Sequence, residues 1–120
     1  MRAHTRRAVA FIAGKLISEE RTHAVRDQSS GRLYQFNGFL NGQRVDVRDS
    51  EMGCCITGTG VARRYQLMHG HNNQAIRLEI DGERFTGYDY DSLNGFSGRV
   101  SGRAITLFDN EHQRYFDFLI

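Results

Sequence analysis

The chain has 120 residues, of which 39% are hydrophobic and 25% are charged, with a net charge of +2. These values fit one globular domain with a single core and exclude a disordered chain. Arg supplies 15 of the 16 basic residues, but they are scattered along the chain. A nucleic-acid-binding domain usually gathers its basic residues in one stripe, so the pattern disfavours a nucleic-acid partner.

The first basic cluster in the chain consists of Arg2, His4, Arg6 and Arg7. At an N-terminus such a cluster is typical of a solvated, mobile tail, and we predict a basic tail over residues 1–7. Contact with an anion or a nucleic acid is the alternative use of these charges.

An apolar run, Ala8 to Gly14, follows the tail. Seven apolar residues are at the lower limit for a signal peptide, Lys15 interrupts the run, and no clean cleavage site follows. We predict instead that this run is the first strand of a single domain over residues 8–120. No stretch is long enough to span a membrane, so we expect a cytoplasmic location and no membrane partner.

The rest of the chain contains an internal repeat of twenty residues. Its rows begin at Val45, Tyr65, Phe85 and Ile105. The fifth position of the rows holds Asp49, His69, Asp89 and Asp109, and the twelfth holds Ile56, Ile76, Phe96 and Phe116. An earlier copy, offset by two residues, begins near His23 and carries Asp27. Each row alternates apolar and polar residues twice with opposite parity, which predicts two strands of a hairpin facing one core.

The turns of the repeat are of two kinds. Asn41-Gly42 and Asp81-Gly82 favour tight type I′ turns, and Ser101-Gly102 occupies the same place in the row after that of Asp81-Gly82. The turns that follow the Asp or His are longer, as in the segment Gly70 to Asn73. Tight turns therefore lie at one end of the predicted sheet and longer loops at the other.

These patterns predict an all-β fold: an antiparallel up-and-down meander of about ten to eleven short strands without a long helix. A sheet of that many strands usually curls, and closure removes its edges, so we predict a small closed barrel. A two-sheet β-sandwich and an open single-layer meander are the alternatives.

The most suggestive side chains are those that immediately precede the longer loops: Asp27, Asp49, His69, Asp89 and Asp109. In a closed barrel they ring one mouth, where oxygen ligands could hold a hard cation such as Ca²⁺ or an Asp–His pair could act as a general base. Asp also favours the first position of a turn, where its side chain accepts backbone N–H groups. We favour turn capping, with a metal or catalytic site as the alternative.

Histidines mark the loop His69-Gly70-His71-Asn72-Asn73. A catalytic metal site usually needs three protein ligands. His112 lies in the last loop at the same predicted end and is the candidate third ligand, whereas a simple polar turn is the alternative. We predict no cofactor.

The two cysteines, Cys54 and Cys55, are adjacent and have no other partner in the chain. Adjacent residues of a strand point to opposite faces, and no base lies nearby, so we predict inert thiols.

Aromatic residues are predicted on both faces of the sheet. Phe36, Phe85, Phe96, Phe116 and Phe118 have inward parity, as do the glycines Gly38, Gly58, Gly60, Gly87 and Gly98. The glycines let rings lie over bare backbone, or they leave space for a small ligand. Tyr88, Tyr90, Phe108 and Tyr115 have outward parity and could form a partner or oligomer surface.

We therefore expect a non-catalytic barrel domain that binds a small apolar ligand or a protein partner, including a second copy of itself. The alternative is an enzyme or metal-binding protein that uses the Asp/His cluster at the loop-rich end.

Overall fold

A computed structural model describes residues 1–120 as one helix followed by ten strands. The helix is α1 (Ala3–Ser18). The strands are β1 (Ala24–Asp27), β2 (Leu33–Leu40), β3 (Arg44–Asp49), β4 (Cys54–Val61), β5 (Arg64–His69), β6 (Gln74–Asp81), β7 (Arg84–Asp89), β8 (Asn94–Ser101), β9 (Ala104–Asp109) and β10 (Arg114–Leu119).

The ten strands form a closed barrel in which each strand pairs with its sequence neighbour and β1 pairs with β10. All pairings are antiparallel, so the predicted up-and-down meander and its closure are confirmed. The register is the one the twenty-residue repeat predicts. Ile56 of β4 pairs with Val47 of β3 and with His69 of β5, and all three side chains are buried.

Helix α1 fills the lumen of the barrel, where the sequence predicted no helix. Every residue from Arg7 to Gly14 is buried, and so are Met1 and Thr5. The predicted first strand over Ala8–Gly14 is therefore wrong, and residues 3–7 of the predicted tail form the beginning of the helix. A helix that is apolar on all sides is stable when it is enclosed, and a ten-stranded barrel leaves a lumen for it.

Small residues on α1 allow the helix to fit. A Cβ placed on Gly14 would lie 2.6 Å from Cδ1 of Ile105 on the barrel wall. Phe11 is the one large ring on the helix that is fully buried, and it stacks on Phe36 of β2 with ring centroids 4.5 Å apart.

The inward glycines of the wall are filled by neighbouring rings. A Cβ on Gly98 would lie 2.1 Å from Cζ of Phe85, and one on Gly87 would lie 2.3 Å from Cζ of Phe96. These rings therefore lie over bare backbone, which is one of the two uses predicted for the glycines. Phe36, Phe85, Phe96 and Phe118 are buried, and Phe116 is half-buried against the core.

The tight turns differ from the predicted type I′. At Gly82 and Gly102 only the glycine has positive φ, at +61° and +59°, which is the pattern of type II′ turns with glycine first. The turn with two consecutive positive φ values is Ala62-Arg63, which contains no glycine. Neither residue of Asn41-Gly42 has positive φ; instead, the Asn41 side chain accepts the N–H groups of the next two residues after Gly42.

The single helix lacks the length and apolar character needed to cross a bilayer.

Candidate functional site

The predicted Asp/His ring lies at the loop-rich end of the barrel, where each of its members caps its own turn. The Asp27 carboxylate accepts the N–H of residue 29 at 2.9 Å, and the carboxylates of Asp49, Asp89 and Asp109 accept the N–H two residues on at 3.0 to 3.1 Å. His69 does the same through Nδ1, which accepts the His71 N–H at 3.3 Å. All of these side chains except that of Asp27 are completely buried.

Two buried carboxylates of the ring, those of Asp49 and Asp109, also bind the N-terminal part of α1. Arg7 donates to Asp49 at 2.9 Å, and its guanidinium lies 4.0 Å from the ring centroid of Tyr34. Arg6 lies 3.3 Å from the Asp109 carboxylate. Arg6 and Arg7 are thus counter-charges for the ring.

Asp109 is the most heavily bonded carboxylate of the ring. It accepts from Nδ1 of His112 at 2.8 Å and pairs with the Met1 ammonium group at 3.2 Å. Burial alone would raise the pKa of Asp109, but the bonds from His112 and from the Met1 amine outweigh it and hold the pKa below its usual value. Asp109 is therefore a charged anchor for the start of the helix.

The three predicted metal-binding histidines do not come together as one set. His69 and His71 pack with His4 of α1, whose ring centroid lies 5.0 Å from that of His69 and 4.9 Å from that of His71. His112 lies instead beside Asp109. In the sequence His4 belongs to the predicted basic tail, but in the structure it completes this histidine cluster.

His69 is fully buried, and burial lowers its pKa from 6.5 to about 4. The neighbouring His4 lowers the pKa further, and the pKa of His4 is itself lowered by burial. Because Nδ1 of His69 accepts a backbone N–H, the neutral ring carries its proton on Nε2, which has no hydrogen-bond partner. That tautomer presents an N–H donor rather than a lone pair to the cluster, which does not suit metal coordination.

Asp109, Glu111 and His112 each place one ligand atom within 4.8 Å of the others, a spacing compatible with a cation. A cation is already there, because the Met1 ammonium group pairs with both carboxylates. These residues can thus hold a positive charge, and in this structure the positive charge belongs to the chain itself.

The opposite end of the barrel carries an open cleft of about 610 Å³ between the end of α1 and the tight turns. We call it the tight-turn cleft. Its lining residues come from the end of α1, the segment after it, and the β2–β3 and β4–β5 turns: Lys15, Leu16, Glu19, Glu20, Arg21, His23, Leu40, Asn41, Gly42, Arg63 and Tyr65. The sequence does not reveal this cleft, because its lining residues are far apart in the chain.

The outer face of the barrel carries a second, smaller cavity of about 270 Å³ across β7 to β10. Phe108 and Tyr115 line it and pack together with centroids 4.8 Å apart. Tyr88 and Tyr90 form a similar pair, also at 4.8 Å. The structure thus gathers the predicted outward aromatics into two pairs.

Cys54 and Cys55 are free and half-buried. Burial and the nearby Asp49 carboxylate raise the pKa of the Cys54 thiol. A raised thiol pKa lowers the thiolate fraction and with it the reactivity, which agrees with the inert role predicted for this cysteine.

Comparison of the chain with protein-family models, with curated proteins and with solved structures finds no match.

Proposed function

We propose that this protein is a non-catalytic binding domain and that it binds a small ligand in the tight-turn cleft. The observation that carries the proposal is the cleft itself, whose volume of about 610 Å³ falls in the range of small-molecule sites. Leu16 and Leu40 give it apolar surface, and charged side chains of both signs surround them.

Two other locations support the proposal less well. The lumen, where a hollow barrel would hold an apolar ligand, is occupied by α1. The ring at the loop-rich end consists of side chains that are already bonded to their own turns or to the helix, and all of them except Asp27 are completely buried. A substrate would have to displace those bonds before it reached Asp49 or Asp109.

The experiment is a small-molecule fragment screen monitored by the backbone amide signals of the isotope-labelled protein. We expect bound fragments to shift the signals of residues such as Arg21, Gly42 and Tyr65. The key variant is Gly42→Phe, because a Cβ on Gly42 meets nothing within 4 Å and φ there is unstrained. The added ring should fill the cleft without disturbing the barrel and should abolish the shifts.

Gly42→Ala is the matched control, which should fold like Gly42→Phe but leave the cleft open. The proposal fails if fragments shift only signals outside the cleft, or if Gly42→Phe binds them as well as Gly42→Ala does.

A second candidate function is interaction with a protein partner through the outer aromatic face. Tyr115 is 68% exposed, and the cavity beside it is bordered by Arg84 and Arg99. Arg84 has no carboxylate partner in the chain, so an acidic segment of a partner would complement this face. Light scattering tests the homo-oligomeric version: a dimer that dissociates in the Tyr115→Ser variant favours it, and a monomer at all concentrations excludes it.

A further inference from the structure

Tyr65 differs from the residues at the same position of the other repeats. Those residues are Val45, Phe85 and Ile105, which are apolar and buried. Tyr65 is also buried, with 2% of its surface exposed, yet it lines the tight-turn cleft. No protein group forms a hydrogen bond with its hydroxyl. The buried polar atoms without a partner belong to Arg7 and His69, so the Tyr65 hydroxyl is instead open to the cleft, where it can donate to a ligand.

The ring of Tyr65 is fixed by the backbone beneath it. A Cβ on Gly60 would lie 2.4 Å from Cε1 of Tyr65, so the ring lies directly over a bare glycine. Burial raises the pKa of Tyr65, and the positive charge of the nearby Arg63 offsets part of that effect. At neutral pH the hydroxyl is therefore a protonated donor in a cleft that Arg63 also lines.

Cationic groups outnumber carboxylates in the cleft. Lys15, Arg21 and Arg63 line it together with Glu19 and Glu20. The Lys15 ammonium is bonded to a backbone carbonyl, at 2.9 Å from the oxygen of residue 22. Arg21 and Arg63 form no ion pair with any carboxylate of the chain, so two guanidinium groups are available to an incoming anion.

Arg63 also occupies a costly backbone position. Its φ is +63°, whereas Glu83 and Arg103, at the same position of the two following repeats, do not have positive φ. A left-handed conformation costs a residue with a side chain roughly 1–2 kcal/mol. This backbone strain therefore falls on a residue whose side chain lines the cleft.

We propose that the tight-turn cleft binds a small carboxylate with an apolar body, through the Tyr65 hydroxyl and the Arg63 guanidinium. The carboxylate accepts from both groups, and the apolar body packs on Leu16 and Leu40. Arginine is well suited to this because its planar fork matches the geometry of a carboxylate. The proposal rests on the proposed ligand-binding function and adds the chemical class of the ligand.

The test compares three probes with the same eight-carbon chain: octanoate, octan-1-ol and octylamine. Their binding is measured by calorimetry and mapped by amide signal shifts. We expect octanoate to bind at least tenfold more tightly than octan-1-ol, because a hydrogen bond to a charged group contributes more than one between neutral groups. Octylamine should bind more weakly than octanoate.

Two variants identify the groups that hold the carboxylate. Tyr65→Phe and Arg63→Gln should each weaken octanoate binding about tenfold and leave octan-1-ol binding unchanged. Arg84→Gln is the control, since Arg84 is exposed and lies outside the cleft. Circular dichroism establishes that each variant is folded.

Equal binding of the three probes at the cleft would overturn the carboxylate inference while the ligand-binding function stands. If fragments bind in the cleft but octanoate does not, the carboxylate inference likewise fails and the ligand-binding function stands. If neither fragments nor probes shift the signals of the cleft, the proposed function fails together with the inference drawn from it.

Discussion

The buried His69 should make the stability of the barrel depend on pH in a predictable direction. Its pKa is about 4 in the folded chain and 6.5 as an ordinary histidine. Between these values the unfolded chain binds a proton that the folded chain does not, so the free energy of unfolding falls as the pH falls from 6.5 to 4. A difference of 2.5 pKa units corresponds to about 3 kcal/mol, of which roughly 2 kcal/mol is lost between pH 7 and pH 4.5.

The variant His69→Asn separates this residue from the others. The Asn side chain can accept the His71 N–H, as the Asp carboxylates do in the sister turns, but it does not titrate. The variant should therefore lose most of the dependence between pH 7 and pH 4.5. His4, whose pKa is also lowered, should contribute a smaller dependence of the same sign.

The measurement is urea unfolding at several pH values, followed by circular dichroism at constant ionic strength. The series stops at pH 4.5, because the charge of Asp109, with its lowered pKa, is lost only at a lower pH. His23→Asn is the control, since His23 is an exposed histidine outside the cluster. If His69→Asn keeps the full pH dependence of the wild-type protein, the account of a neutral buried histidine is wrong.

Three further changes test the packing of helix and barrel. Arg7→Met should lower the free energy of unfolding by about 3–5 kcal/mol because it leaves the Asp49 carboxylate buried and unpaired. In urea unfolding, the double variant Arg7→Met/Asp49→Asn should lose less stability than the two single variants lose in sum. Gly98→Ala should destabilise by about 1–3 kcal/mol because its Cβ would overlap the wall and a neighbouring ring, whereas the Gly42→Ala control should be close to neutral in thermal unfolding. Ala62→Gly should raise the melting temperature, because it relieves a positive φ that costs alanine roughly 1 kcal/mol; an unchanged or lower value would contradict this reasoning.

The barrel was predictable because its signal is repeated. The inward and outward positions of a single twenty-residue row are ambiguous, but four aligned rows determine which residues of every strand face the core. Val47, Ile56 and Leu67 have inward parity and are buried. The position of the Asp/His ring follows from the same register. The depth of its burial does not, because it depends on what fills the lumen.

The helix was missed because a run of seven apolar residues is the same length as a buried strand. Periodicity cannot separate the two, since a fully buried element of either kind has no polar face. The distinguishing signal was outside the run, in the basic residues before it. Arg6 and Arg7 are the charge complement of Asp109 and Asp49, a relation that appears only when the two sets are considered together.

This complementarity also bears on how the barrel closes. The seam between β1 and β10 is its shortest pairing, made through Arg26 and Asp27 of a four-residue strand. It joins segments about ninety residues apart, so its closure carries a larger chain-entropy cost than any hairpin of the meander. The enclosed helix offsets that cost, because it packs against the β1–β2 and β8–β9 sides of the wall at once. The buried charge pairs with Asp49 and Asp109 fix the orientation of α1 inside the closed barrel. The ring that resembles a catalytic site in the sequence is thus explained by turn capping and by its charge pairs with α1.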